Sequence, residues 1–435
     1  MTTDEIREIA VAVLVDVERG SFLDRALQMH REDLRRGDPG ESRLHFLTTG
    51  TVKWNGRLDR ELEQRLPHGI NSLPAVCRAI LRLALFELRH GKSPDYAVVD
   101  TAVGITRKHG LHGLVPVVNG VLRNAVREGE PPLPEDAAER LAVEQSHPAW
   151  LLAMIDDVYG FGAAAGFAAW NNMPPPLWVR VNRAVMAMEK AAELLLADDV
   201  DIRPGTLLTD YLLLGEGTVP ARLNGIKQGW LTVQDPSAGL ASYAAMPVDG
   251  SLTADICAAP GGKATHLAEL GATVEASDSA PERMIRLRES IQRHAGGNIQ
   301  AVEYKDLLIR RGEFDLVLVD VPCSNTGVLR RRADARWRLE ADGHARLAQV
   351  QYELLENGGE LVRPGGVLVY STCTLLPVEN ELVVDRFLSH HTAFIPDPLP
   401  DTVPELFRTG EGRAISLPWM HGLDGSFVAR MKRLQ

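Results

Sequence analysis

The feature that most constrains this chain begins near residue 236, where short apolar runs start to alternate with helical stretches. Residues 253–257 form one run, followed by the pair Gly261-Gly262 and a helical stretch over 263–270. Residues 272–278 form a second, followed by a helix that Pro281 can open at its first position. Residues 314–320 and 366–371 are two more. Strands alternating with helices imply an α/β domain, a parallel sheet with helices on both faces, over 236–435. In such sheets ligands bind beyond the carboxyl ends of the strands, near the point where strand order reverses.

The preceding residues have a different texture. Over 1–130, Ile6, Ile9, Ala10, Val13, Leu14 and Val17 recur at helical spacing, and Val76, Ala79, Ile80 and Leu83 repeat the pattern. Gly37-Asp38-Pro39-Gly40 and Lys92-Ser93-Pro94 interrupt it, and the expectation is an all-α bundle. Glu130-Pro131-Pro132-Leu133-Pro134 ends that region. A small connecting domain follows over 135–235, helical at 150–170 and then extended at Leu177-Trp178-Val179-Arg180-Val181-Asn182, beyond Pro174-Pro175-Pro176. A chain of 435 residues is long enough for such a multidomain arrangement, and no fixed-period repeat is present.

Cys77, Cys257, Cys323 and Cys373 lie far apart and form no C-x-x-C pair. A zinc site and a disulfide framework are therefore not expected, and the four are read as free thiols in a reducing compartment, with no metal. The N-terminus carries acids early and lacks an apolar signal core. No apolar run approaches the roughly 18 to 20 residues that cross a bilayer. A cytoplasmic, soluble monomer without membrane partners is expected. The net charge of −11 argues against a simple polycationic nucleic-acid binder, so RNA binding would need clustered arginines. Such a cluster stands directly after Cys323: Arg330, Arg331 and Arg332, then Arg336 and Trp337. Arginine binds phosphate and tryptophan offers a stacking face, which marks these five as the expected RNA contacts.

The segment Asp255-Ile256-Cys257-Ala258-Ala259-Pro260-Gly261-Gly262-Lys263 falls where a strand hands over to a helix. Small residues let the backbone approach a ligand, and the helix start offers unpaired N–H groups. Asp278, about 20 residues on, suits ribose hydroxyls. The G-x-G-x-x-G spacing of a dinucleotide site is absent, so a nucleoside cofactor without a pyrophosphate, such as S-adenosyl-L-methionine, fits better than a nicotinamide cofactor. Cys323, in Asp320-Val321-Pro322-Cys323-Ser324, and Cys373, in Ser371-Thr372-Cys373-Thr374, both lie just past strand ends. Both should face the cofactor's rim of the sheet.

C-A-A-P-G-G-K followed by D-x-P-C-S and S-T-C resembles the Nol1/Nop2/Sun family of RNA 5-methylcytosine methyltransferases. The resemblance implies a class I, Rossmann-like methyltransferase domain. It implies that Cys257, Ala258, Ala259, Pro260, Gly261, Gly262 and Lys263 hold the methionine end and sugar of the cofactor. By the same resemblance Asp278 holds the ribose, Asp306 flanks the adenine, and Asp320 borders cofactor and cytosine. Cys373 becomes the nucleophile towards carbon 6 of cytosine and Cys323 the residue that helps resolve the adduct, with Lys263 a polar participant. DNA cytosine-5 methyltransferases use the P-C cysteine as nucleophile, so the second cysteine points to the RNA class. Asp95-Tyr96-Ala97-Val98-Val99-Asp100-Thr101-Ala102-Val103 and Val118-Asn119-Gly120-Val121-Leu122-Arg123-Asn124 resemble the helical RNA-binding domain of the antitermination factor NusB. Ser146-His147-Pro148-Ala149-Trp150 and the strand at Trp178 resemble the connector of bacterial small-subunit rRNA methyltransferases, which implies ribosomal RNA, free or early in assembly, as partner. The chain departs from the family at Val321, where a small residue is usual, at Asn325, where Gly is usual, and at Gly239, where Gln is usual. A tRNA cytosine-5 methyltransferase and a non-catalytic RNA-binding assembly factor are the alternatives.

Overall fold

The computed structural model describes residues 2–30, 40–296, 298–341 and 343–435. The break at Gly37-Asp38-Pro39 lies outside the described residues. The chain divides into two compact units, Met1–Met173 with Leu329–Leu339, and Pro174–Val328 with Glu340–Gln435.

The first unit is helical, as the periodicity predicts. Its helices include Thr3–Glu18, Gly40–Lys53, Ala75–His90, Asp95–Lys108, Val115–Glu128 and Phe161–Asn172. The first opens on a capping box: the Thr2 hydroxyl accepts from Glu5 N, and the Glu5 carboxylate accepts from Thr2 N. Ile6, Ala10, Val13 and Leu14 are buried against Ala79, Ile80, Leu83 and Cys77, which makes Cys77 a core thiol. Lys92-Ser93-Pro94 separates two of these helices. A buried ion pair crosses this core, Arg7 donating to both Glu87 oxygens at 2.7 and 2.9 Å.

Leu329–Leu339 belongs to this helical unit, and that corrects the expected RNA cluster. Arg336 is fully buried, donating to Ser146 O at 3.2 Å, Asn172 Oδ1 at 3.0 Å and Asn171 O at 3.3 Å. Arg330 is buried with its guanidinium 4.1 Å over the Trp170 ring, and its Nε donates to Met173 O. The Trp337 indole N–H donates to Val52 O at 2.7 Å, and its ring packs so closely on Gly56 that a Cβ there would come within 2.5 Å of it. The carbonyls at the C-terminal end of helix Phe161–Asn172 need donors, and a cation there also suits the helix dipole. Arg330, Arg336 and Trp337 are thus spent on folding this unit. Arg331 is half-buried, and Arg332 alone of the five is exposed.

The second unit carries two sheets. The smaller has four antiparallel strands, β1 (Leu177–Val181), β2 (Ile202–Pro204), β3 (Tyr211–Leu214) and β4 (Leu231–Val233), in the order β2-β3-β1-β4. Helix Met188–Ala197 joins β1 to β2. Only β1 is visible as a strand in the sequence. The larger sheet contains β5 (Leu252–Asp255), β6 (Thr273–Ala276), β7 (Asn298–Ala301), β8 (Phe314–Asp320), β9 (Val362–Thr372), β10 (Phe394–Pro396), β11 (Arg408–Gly410), β12 (Arg413–Ser416) and β13 (Ser426–Arg433). Its order is β11-β12-β13-β9-β8-β5-β6-β7, with β10 pairing β13. Strands β5 to β9 run parallel, whereas β13 is antiparallel to β9 and begins an antiparallel flank. The expected all-parallel sheet is therefore mixed. The chain builds outward from β5 to β7 and then returns to place β8 on the other side of β5, which makes the β5/β8 boundary the reversal point.

Candidate active site

Every parallel strand end at the reversal point carries a residue with chemistry. Register pairs Asp255 with Leu318 and Asp320 with Ser371, so β8 and β9 continue side by side just past the end of β5. Beyond β5, Ala258 N donates to Ser277 O and Gly261 N to Ala258 O, folding 257–261 into a tight turn. Gly261 has φ +111°, a region closed to most side chains, and caps helix Gly262–Glu269. Arg180, fully buried on β1, steadies this helix: it donates to Gly262 O at 3.0 Å, Thr265 Oγ1 at 3.1 Å and both Glu269 oxygens at 2.7 and 2.8 Å.

The rim fits a nucleoside ligand. Asp278, two residues beyond β6, is buried, and its Oδ2 has no hydrogen-bond donor among the described residues, with Arg283 standing 3.8 Å away. Ribose hydroxyls are the donors such an oxygen lacks. Asp255 Oδ2 is likewise buried without a donor among the described residues; burial, then the Asp320 charge, push this carboxyl up to about 8. Burial first, then Asp255, raise the Cys257 thiol well above its ordinary value, so Cys257 is a neutral wall of the turn. Asp306 is exposed in the first turn of helix Tyr304–Leu308, after β7.

The two cysteines meet. Cys323 Sγ and Cys373 Sγ lie 2.8 Å apart, and Cys373 N donates to Cys323 Sγ at 3.3 Å. Beside them Lys263 Nζ pairs with Asp320 Oδ2 at 2.7 Å. Burial works against the Lys263 ammonium, but Asp320 and then the Cys373 sulfur outweigh it and hold its pKa above the usual lysine value. The hydrogen bond with Cys373, then burial, then the Cys373 charge, and after these the Glu379 charge, hold Cys323 well above a free thiol. Asn325 sits between the pair: its Nδ2 donates to Cys323 O at 2.9 Å, and its Oδ1 accepts from Cys373 Sγ at 3.4 Å. Its φ of +61° accounts for the Gly usual at this position, since asparagine tolerates the left-handed region. Gly327 brings the Cys323 loop against the next one, donating from N to Cys373 O at 2.9 Å; a Cβ there would stand 2.8 Å from that oxygen.

One group of side chains beneath the cysteines carries no sequence signal. Glu379 is fully buried, and its Oε2 accepts from Ser324 N at 2.9 Å and Gln351 Nε2 at 2.8 Å. Its Oε1 accepts from Thr374 Oγ1 at 3.3 Å. Thr374 Oγ1 also bonds Ser324 Oγ and Thr326 Oγ1, each at 2.8 Å. A lone acid after a Pro-Val pair reads as a turn residue. Only its burial distinguishes it.

A mixed sheet with this strand order, a glycine turn after β5 and acids at the neighbouring strand ends define a class I methyltransferase domain. Residues 242–432 match the family 16S rRNA methyltransferase RsmB/F, residues 4–127 the NusB family, and residues 147–220 the RsmF/B-like ferredoxin-like domain. The chain is 33% identical over 448 residues to the probable ribosomal RNA small subunit methyltransferase B of Bacillus subtilis (strain 168), covering 100% of both. It is 33% identical over 396 residues to ribosomal RNA small subunit methyltransferase B of Pectobacterium atrosepticum, covering 89% of this chain and 90% of that one. The fold of PH0851 superposes with a TM-score of 0.86 at 23% identity, covering 100% of this chain and 99% of that chain. The chain belongs to the RsmB/F family of 16S rRNA methyltransferases, with a NusB-like helical domain, a ferredoxin-like small domain and a mixed α/β methyltransferase domain. No described helix is long and apolar enough to cross a membrane, and no described cluster of His, Cys, Asp and Glu could hold a metal ion.

Proposed function

We propose that this enzyme methylates carbon 5 of one cytosine in 16S rRNA through a covalent adduct on Cys373, which Cys323 resolves. The observation that carries the reading is the pair of thiols 2.8 Å apart on adjacent strand ends, beside the Lys263–Asp320 pair. Bound S-adenosyl-L-methionine supplies an electrophilic methyl group. The turn 257–263 and Asp278 would hold its methionine end and ribose, and Asp306 and Asp320 would border the rest.

The chain's own residues handle the cytosine. Asp320, held by Lys263, accepts from the amino edge of the ring and stabilises a protonated ring nitrogen. The Cys373 thiolate adds to carbon 6, which makes carbon 5 enamine-like and able to take the methyl. To finish, the carbon-5 proton leaves to water, and its electron pair restores the ring double bond as the carbon–sulfur bond breaks. The departing Cys373 sulfur takes the Cys323 proton across the 2.8 Å contact, the ring nitrogen gives its proton back to solvent, and return of the proton from Cys373 to Cys323 restores the thiolate. Carbon 6 of a paired cytosine is shielded, so the substrate is unpaired or flipped-out rRNA, free or early in assembly in the cytoplasm.

Bisulfite sequencing of 16S rRNA treated with the purified enzyme and S-adenosyl-L-methionine tests this reading, with rRNA and tRNA from a deletion strain mapped alongside. One protected cytosine in 16S rRNA that the deletion loses is the expected result. Protection lost only in tRNA, or methylated 16S rRNA with no protected cytosine, would contradict it.

A further inference from the structure

We infer that Glu379 is a positioning residue shared by the two cysteine loops. Its carboxylate ties the residue after Cys323 to the residue after Cys373 and keeps Cys323 in its proton-bearing form. The inference rests on the assignment of Cys323 as proton donor to Cys373. The geometry is specific. Ser324 N and Thr374 Oγ1 each follow a cysteine by one residue, and both donate to the same carboxylate, at 2.9 and 3.3 Å. Gln351 fixes that carboxylate from helix Gly343–Leu361 at 2.8 Å. Asn380 braces the Cys373 side, its Oδ1 accepting from Thr372 Oγ1 at 2.6 Å and its Nδ2 donating to Thr374 O at 3.0 Å. The Tyr370 hydroxyl donates to Glu379 O at 2.6 Å, so the backbone of Glu379 is held as well.

Two sulfurs this close face an ambiguity, since either could carry the proton. The buried Glu379 carboxylate, bonded to Ser324 N at 2.9 Å, adds to the larger effects of the Cys373 sulfur and of burial in disfavouring a thiolate on Cys323. A negative charge disfavours a second one nearby, and a cation favours it. Glu379 thus favours the proposed division of roles, with Cys373 as attacker and Cys323 as proton donor.

The test separates charge from clamp. Glu379→Gln keeps the shape and can satisfy the same partners, so it removes mainly the charge. In a Cys373→Ala background, Cys323 alkylation by iodoacetamide is followed by mass spectrometry against pH, with and without Glu379→Gln. The expected result is a half-point about one pH unit lower in the glutamine variant. Coincident half-points would overturn the inference. Should the glutamine variant not fold, Glu379→Asp keeps the charge and is expected to leave the half-point in place; a fall of one unit there would overturn it too. Alkylation reports on Cys323 whatever its role, and conjugate trapping by Cys323→Ala tests that role, so the two claims fail separately.

Discussion

Asn325 shows how one residue can be both a conformational solution and a contact. It holds φ +61°, and its amide touches both cysteine segments. Asn325→Gly should therefore unfold within about 1 kcal/mol of the wild type, whereas Asn325→Val, β-branched in the left-handed region, should lose about 2 kcal/mol or more. Urea denaturation measures both, and equal stability of the two variants would refute the account. Lys53 makes a different case. It is buried, and its Nζ donates only weakly to Asn172 O and Met173 O, at 3.3 and 3.4 Å. Burial, then Arg336 and Arg330, lower its pKa to about 8. An unfolded lysine keeps its proton to about 10.4, so between those values the unfolded chain binds more protons and stability rises with pH. Below pH 8 both forms are charged and the cost is fully present. Relative to Lys53→Met, the wild type should gain roughly 2–3 kcal/mol between pH 8 and pH 10 in chemical denaturation. A flat difference would show that the site is better solvated than its burial implies.

Among the elements, the segment Leu329–Leu339 departs furthest from what its residues suggest. Its arginines read as a cationic face because nothing in the sequence tells that the carbonyls of Asn171 and Met173 await them. Trp337→Ala should destabilise the helical unit by about 2–3 kcal/mol, the loss expected for a half-buried tryptophan. Arg332, which is exposed, is the member of the cluster we still assign to RNA. Arg332→Ala should reduce the salt slope of rRNA binding by about one charge, while Arg336→Ala lowers stability and leaves the slope alone. Thermal melts and filter binding at several salt concentrations separate the two, and a slope change from Arg336→Ala would return that residue to the interface. The catalytic strands were far more legible. A parallel strand buried on both faces is a continuous apolar run, so β8 occupies the predicted 314–320. The flank β11–β13 was not legible, because Ser426–Arg433 carries three cations and Arg408–Gly410 has only three residues. The glycine turn, Asp278 and both cysteines were placed by their positions after strand ends. Glu379 was not, since its partners come from a loop and a helix distant in sequence.

Across the whole molecule, net charge and domain order carry different amounts of information. A charge of −11 speaks only to the average surface, and an rRNA methyltransferase tolerates it. The sequence of helical bundle, small domain and α/β domain follows from their different periodicities, but the expected connecting domain 135–235 is divided at Met173/Pro174 between the two units. The grouping of Leu329–Leu339 with the helical unit was not readable, because its partners are more than a hundred residues away in sequence. In the proposed reaction one cysteine attacks and its neighbour releases. Denaturing electrophoresis of enzyme mixed with substrate rRNA and S-adenosyl-L-methionine tests it most directly, using Cys323→Ala, Cys373→Ala and the double variant. Cys323→Ala should accumulate a stable protein–RNA conjugate, and neither variant lacking Cys373 should form one. A conjugate that persists without Cys373, or full turnover with no conjugate in Cys323→Ala, would contradict the account.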